Sequence, residues 1–164
     1  MIQKKICVLG ATGVGKTSLT RKFVDGIFSE KYLTTIGVKI DKKVVPTSSS
    51  DVQLMIWDME GIDRYCGFNP KYLRGASAFI VVTDQTRAQS LVEGMEILSM
   101  AREHTDAPAI LVVNKCDLDM KWHWREDHVD TQAELFQARF NTSAKTGVQV
   151  NNMFKSIAAL SIEQ

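Results

Sequence analysis

Apolar residues along the chain fall into short β-rich runs separated by stretches with helical spacing. The runs KKICVLG, VKIDKKVV, VQLMIWD, AFIVVTD, AILVVNK and a short RFNTS read as strands. Within three of them I-C-V-L, F-I-V-V and I-L-V-V are continuously apolar, as central strands covered on both faces by helices should be. VKIDKKVV alternates instead, and Lys39, Lys42 and Lys43 mark it as an edge strand guarded by charge. Helices are predicted over Lys16–Asp25, Ile62–Gly75, Ser90–His104, Thr131–Ala138 and Val148–Ile162. In the last, Val150, Met153, Phe154, Ile157, Ala158 and Leu160 form a core-facing stripe. This alternation predicts a doubly wound α/β fold with a mostly parallel sheet. PTSSSD, residues 46–51, reads as a hairpin loop that makes the lysine-bearing strand antiparallel to VQLMIWD. With no linker or repeat, residues 1–164 read as one domain.

Composition narrows the classes of function. Apolar residues make up 45% and charged residues 24%, with a formal net charge of +1. That balance carries no basic surface broad enough to make nucleic acid the main partner. Cys7, Cys66 and Cys116 lack a metal-ligand spacing and read as free thiols in a reducing compartment. There is no apolar run of membrane-spanning length, the N-terminus is too short for a signal segment, and S-I-E-Q offers no cysteine for prenylation. The expectation is a cytoplasmic protein without a direct membrane anchor in this sequence, peripheral to a membrane only through a lipidated tail beyond it.

G-A-T-G-V-G-K-T, Gly10 through Thr17, matches G-x-x-x-x-G-K-[ST] in full, follows an apolar strand and opens a helix. Glycines let backbone N–H groups converge on phosphate oxygens, and the helix N-terminus adds partial positive charge. Lys16 is placed to reach the β- and γ-phosphates and the Thr17 hydroxyl to ligate Mg²⁺. N-K-C-D, Asn114 through Asp117, follows another apolar strand. A carboxylate accepts two hydrogen bonds from adjacent donors, and guanine offers such a pair where adenine does not, so Asp117 selects guanine. Asn114 would brace the loop and reach the base, and the Lys115 stem can cover the ring. In T-S-A-K, Thr142 through Lys145, Ala144 can offer its N–H to guanine O6 while Lys145 packs beside it. Alone, N-K-x-D and T-S-A-K are weak signals; their positions in a chain with the phosphate loop give them weight.

Together with T-T-I-G-V at 34–38, W-D-M-E-G at 57–61 and Y-L-R-G-A at 72–76, these motifs occur in the order and spacing of one family. The chain resembles a small GTPase of the Ras superfamily, closest to the Rab branch, over essentially its whole length. The resemblance implies a P-loop NTPase G domain with a six-stranded, mostly parallel sheet, one antiparallel edge strand and helices on both faces. It implies a Mg²⁺-dependent switch in signalling or vesicle trafficking that binds GTP and GDP and hydrolyses GTP. Carried over by position, the nucleotide-binding residues are Gly10, Thr12, Gly13, Val14, Gly15, Lys16, Thr17, Ser18, Phe28, Thr35, Asp58, Gly61, Asn114, Lys115, Asp117, Ser143, Ala144 and Lys145. Lys16, Thr35 and Gly61 are the catalytic set, and Thr17, Thr35 and Asp58 hold the metal, Asp58 through water. Phe28 packs edge-on against guanine by its register alone, since a lone phenylalanine after a helix is usually core. Loss of the γ-phosphate would release Thr35 and Gly61 together, changing the surface that residues 30–40 and 60–74 present to effector, exchange-factor and GTPase-activating proteins.

Three positions depart from the family pattern. Ile62 stands where a glutamine normally orients the attacking water, so slow intrinsic hydrolysis is expected. Glu60 replaces a usual alanine and either repels the γ-phosphate or pairs with a cation such as Arg64. Thr12 carries a Cβ that can crowd an incoming arginine or the water. In K-W-H-W-R-E-D-H, residues 121–128, the two tryptophans form either a partner-binding knob or, as preferred, rings packed under the following helix. His123 and His128 have no further ligand nearby and are assigned no metal. Two other classes compete. A binding-only scaffold would show no phosphate release under any condition, and a small-molecule kinase would prefer adenine, against N-K-C-D.

Overall fold

The computed structural model describes residues 1–29, 37–59, 69–124 and 126–163, apart from the side chains of 126 and 127. Elements follow in the order β1 (Ile2–Gly10), α1 (Lys16–Asp25), β2 (Val38–Pro46), β3 (Asp51–Met59), β4 (Ala76–Asp84), α2 (Gln89–Arg102), β5 (Ala109–Asn114), α3 (Glu126–Ala133), β6 (Ala138–Asn141) and α4 (Val150–Ile162). They build a six-stranded sheet in the order β2-β3-β1-β4-β5-β6. Only β2 runs antiparallel, paired with β3 from Val38↔Met59 to Pro46↔Asp51. Its hairpin is closed by Thr47, whose N–H and hydroxyl both donate to Ser50 O.

The continuously apolar strands are buried on both faces, for the reason read in the sequence. Ile6 and Val8, Ile80 and Val82, and Ile110 and Val112 face a core with Leu19 and Phe23 of α1 and Met153, Phe154 and Ile157 of α4. Phe23 and Phe154 stack with centroids 4.0 Å apart. The alternate residues Cys7 and Leu9, Phe79 and Val81, and Leu111 and Val113 face Ile97, Leu98 and Ala101 of α2. Gly94 lets α2 approach β4, since a Cβ there would stand 3.1 Å from Thr83 Cγ2. On the edge strand, the Lys43 ammonium donates to Phe23 O and lies over its ring, tying β2 to α1.

One predicted helix is corrected in its bounds and another in the part that is described. Of Ile62–Gly75, residues 62–68 lie outside the described residues, and the remainder forms only a 3-10 turn at Pro70–Leu73. Pro70 has no N–H to continue a helix, and Asn69 caps the turn by accepting from Lys71 N. The helix expected at Thr131–Ala138 instead spans Glu126–Ala133. Its expected end is claimed by the sheet: Gln137 N donates to Ala109 O, and Ala138 pairs with Ile110.

The layout decides where a ligand can sit. β1, β3, β4, β5 and β6 all end at one edge, delivering residues 10–15, 59, 84–88, 114–117 and 142–147 to the same side. Strand order reverses about β1, which lies between β3 and β4, and open α/β sheets bind ligands at that switch point.

Candidate nucleotide site

Residues 11–15 leave β1 as a loop that must pass under β5. Gly10 has φ +153° and a Cβ there would stand 2.5 Å from Val82 O; Gly15 has φ +103° and its Cβ would strike the Asn114 amide nitrogen. No side chain fits at either point, so glycine is what allows the phosphate loop to rest against β4 and β5. Gly15 also begins α1 and accepts from Leu19 N, which aims the N–H groups of the first turn into the loop.

The loop is sewn to the neighbouring strand ends. Asn114 Nδ2 donates to Val14 O at 3.0 Å, while Asn114 Oδ1 accepts from the Thr142 hydroxyl at 3.0 Å. Lys115, at φ +67°, donates to Gly13 O at 3.0 Å and pairs with Asp84 at 2.8 Å. The buried Ser143 hydroxyl donates to Asp117 Oδ1 at 2.8 Å and accepts from Thr146 N at 3.1 Å, presenting an exposed carboxylate beside the loop. Ala144 is buried and Lys145 exposed on the same turn.

Lys16 is buried and donates to Gly10 O and Ala11 O at 3.0 and 2.9 Å. Burial pushes its pKa down to about 8, opposed by the Asp58 charge and reinforced by Arg87. Asp58 is fully buried; its Oδ2 accepts from the Thr17 hydroxyl at 2.5 Å, and its Oδ1 has no hydrogen-bond partner among the described residues. Burial therefore pushes the Asp58 carboxyl above its ordinary range, against the pull of Thr17, Lys16 and Lys39. An orphaned buried carboxylate oxygen beside a threonine hydroxyl fits a hard, oxygen-liganded cation such as Mg²⁺.

A sequence model described as "Ras family" matches residues 5–163. The chain belongs to the Ras family. It is 31% identical to Ras-related protein Rab-13 of Rattus norvegicus over 157 residues, 94% of this chain and 77% of that protein. It is 33% identical to Ras-related protein Rab-22A of Mus musculus over 158 residues (94% and 81%), and 31% identical to Ras-related protein Rab-31 of Homo sapiens over 157 residues (94% and 80%). This is a Rab-like small GTPase, a guanine-nucleotide-binding switch with GTPase activity.

Of the residues expected in the site of this Ras-family chain, Gly10, Thr12 through Ser18, Asp58, Asn114, Lys115, Asp117, Ser143, Ala144 and Lys145 lie at the strand ends and the start of α1. Phe28 is 36% exposed, so the competing core placement does not hold. Thr35, Glu60, Gly61, Ile62 and Arg64 lie outside the described residues. Sequence reading missed Asp84, Arg87 and Thr142. Asp84 is buried; burial raises its pKa, but Lys115 and Thr86 outweigh this and hold it below its ordinary value. The available signal was an aspartate ending the apolar run AFIVVTD, the position that Asn114 holds at the end of β5.

Proposed function

We propose that this chain binds Mg²⁺·GTP and GDP at these strand ends and hydrolyses GTP slowly, residues 1–164 acting as one unit. What supports the reading most is the joining of the phosphate loop to the base-reading loop through Asn114, Lys115 and Gly15. Backbone N–H groups of the loop and of the first turn of α1 would hold phosphate oxygens, with Lys16 turning from the Gly10 and Ala11 carbonyls to the β- and γ-phosphates. Asp117 would accept from guanine N1–H and N2–H₂, and the Ala144 N–H would donate to O6. Thr17, Asp58 and Thr35 would hold Mg²⁺, whose chemistry is to neutralise charge on the β- and γ-oxygens. Thr35 and Gly61 would fasten their segments to the γ-phosphate, and its loss would free the surfaces at 30–40 and 60–74 for a different set of partners.

Ile62 has no hydrogen-bonding atom to orient water, so turnover should be low. That feature also favours a second reading, a GTP-binding scaffold that does not hydrolyse. Single-turnover phosphate release, with and without candidate activating proteins, separates the two: no release over many hours would leave the scaffold. The nucleotide that co-purifies tests the primary reading, with bound GTP expected. Bound GDP would mean that hydrolysis proceeds despite Ile62, and bound adenine nucleotide would refute guanine selection.

Two further outcomes follow from the titrating groups. Phosphate favours charged Lys16, whose free-protein pKa is about 8. Affinity for GDP should therefore be flat below that pH and fall above it, approaching tenfold per pH unit. Calorimetric titrations from pH 7 to 9.5 check this, and an unchanged affinity would remove Lys16 from the phosphate contacts. Asp58→Asn removes a charge that burial disfavours and whose Oδ1 has no hydrogen-bond partner among the described residues, and should raise the stability of the nucleotide-free protein by roughly 1 kcal/mol. The same variant should release labelled GDP equally fast with Mg²⁺ or with a chelator, whereas the parent should release it slowly only with Mg²⁺. Retained Mg²⁺ dependence would take Asp58 out of the metal site.

A further inference from the structure

Three successive carbonyls of the phosphate loop are each held by a side chain from a distant strand end. Val14 O receives Asn114 Nδ2, Gly13 O receives Lys115 Nζ, and Thr12 O receives the Arg87 guanidinium at 2.8 Å. In a planar trans peptide the C=O and the following N–H point in opposite directions. Holding the carbonyls of 12, 13 and 14 from outside therefore turns the N–H groups of Gly13, Val14 and Gly15 toward the other side, where an anion can collect them. The first two donors belong to the base-reading motif; Arg87 belongs to neither motif.

Arg87 is 45% exposed, and a lone contact from such a side chain is weak because ordering it costs entropy. Here the ordering is largely done beforehand. Its Nε lies 3.2 Å from Asp84 Oδ2, the same oxygen that pairs with Lys115. Its N–H donates to Asp84 O, and its carbonyl accepts from the Ser90 hydroxyl at 2.7 Å. Trp122 closes the turn from above: its indole N–H is shared between Asp84 O at 2.7 Å and Arg87 O at 3.0 Å. Trp124 adds a bond to Ala88 O and packs its ring 5.3 Å from that of His128. Both tryptophans thus grip the turn that carries Arg87, and Trp124 alone is shown against the following helix, through His128.

We propose that Arg87, fixed by Trp122, is a positioning residue of the nucleotide site: it latches Thr12 so that the Gly13 N–H is preset toward phosphate, and so lengthens nucleotide residence. The inference rests on the guanine-nucleotide reading above. The test is dissociation of a fluorescently ribose-labelled GDP, chased by unlabelled GDP in Mg²⁺. Arg87→Ala should speed release about tenfold and Trp122→Phe, which keeps a ring but loses the N–H, about threefold. The double variant should release no faster than Arg87→Ala, because Trp122 acts through Arg87. Arg87→Lys keeps the charge but cannot span Asp84 and Thr12, and should stay within about twofold of Arg87→Ala. Release within twofold of the parent for either single variant, multiplied effects in the double variant, or full recovery with lysine would each overturn the latch. If labelled GDP does not bind the parent protein, the guanine-nucleotide reading fails instead.

Discussion

Asp117→Asn is expected to weaken GDP and GTP binding by about 3–4 kcal/mol, a loss of two to three decades in Kd. The guanine edge brings two donors, N1–H and N2–H₂, to a carboxylate that supplies an acceptor for each. The Ser143 hydroxyl at 2.8 Å fixes one carboxylate oxygen and with it the plane of the group. Asparagine keeps the shape but turns one oxygen into an NH₂ that faces a donor. The cost is therefore the lost bonds plus an unsatisfied group in the bound state. The substitution lies at an exposed position, so the fold should be untouched, and unaltered thermal stability of the nucleotide-free protein provides the control. Undiminished nanomolar affinity in the variant would withdraw Asp117 from base recognition.

Ile62→Gln should accelerate intrinsic hydrolysis by about ten- to a hundredfold, equivalent to roughly 1.4–2.7 kcal/mol of barrier. The protein does little covalent chemistry in phosphoryl transfer, so aligning water is a large share of what a side chain can contribute. An amide can orient water through both its oxygen and its NH₂; an isoleucine side chain has neither a donor nor an acceptor. Single-turnover hydrolysis with GTP preloaded on each protein measures the difference. An equal rate would shift attention to Thr12 or Glu60. Thr12 is the nearer concern, because its carbonyl is already engaged by Arg87 while its side chain stands exposed on the loop.

The strands were legible because burial on two faces leaves continuous apolar runs and an exposed edge leaves alternation. Lys43 shows the limit of that reading: it guards the edge as charge, yet its ammonium also bonds to Phe23 O of α1. The two helix predictions part from the structure for different physical reasons. Local spacing at 131–138 is helical, but Gln137 gains a sheet bond to β5 that a helix would forgo, and tertiary pairing overrides propensity. At 69–75 Pro70 cannot continue a helix and Asn69 caps a 3-10 turn instead.

The site divides along the same line. Gly10, Gly15, Lys16 and Thr17 announce themselves because phosphate binding needs them at fixed local spacing. Asp84 and Arg87 do not, because their meaning lies in contacts to Lys115 and to Thr12, the latter 75 residues away. The same holds for Asn114 on Val14, a contact across 100 positions, where only the motif gave the residue away.

The central claim is that a guanine nucleotide with Mg²⁺ is gripped by loop amides and Lys16 and chosen through Asp117. Isothermal titration of the nucleotide-stripped protein in Mg²⁺, first with GDP and then with ATP, tests it directly. The account predicts one binding event per chain for GDP with Kd below about 1 μM, and no resolvable heat for ATP at the same concentrations. Absence of heat with GDP, or equal affinity for the two nucleotides, would contradict it.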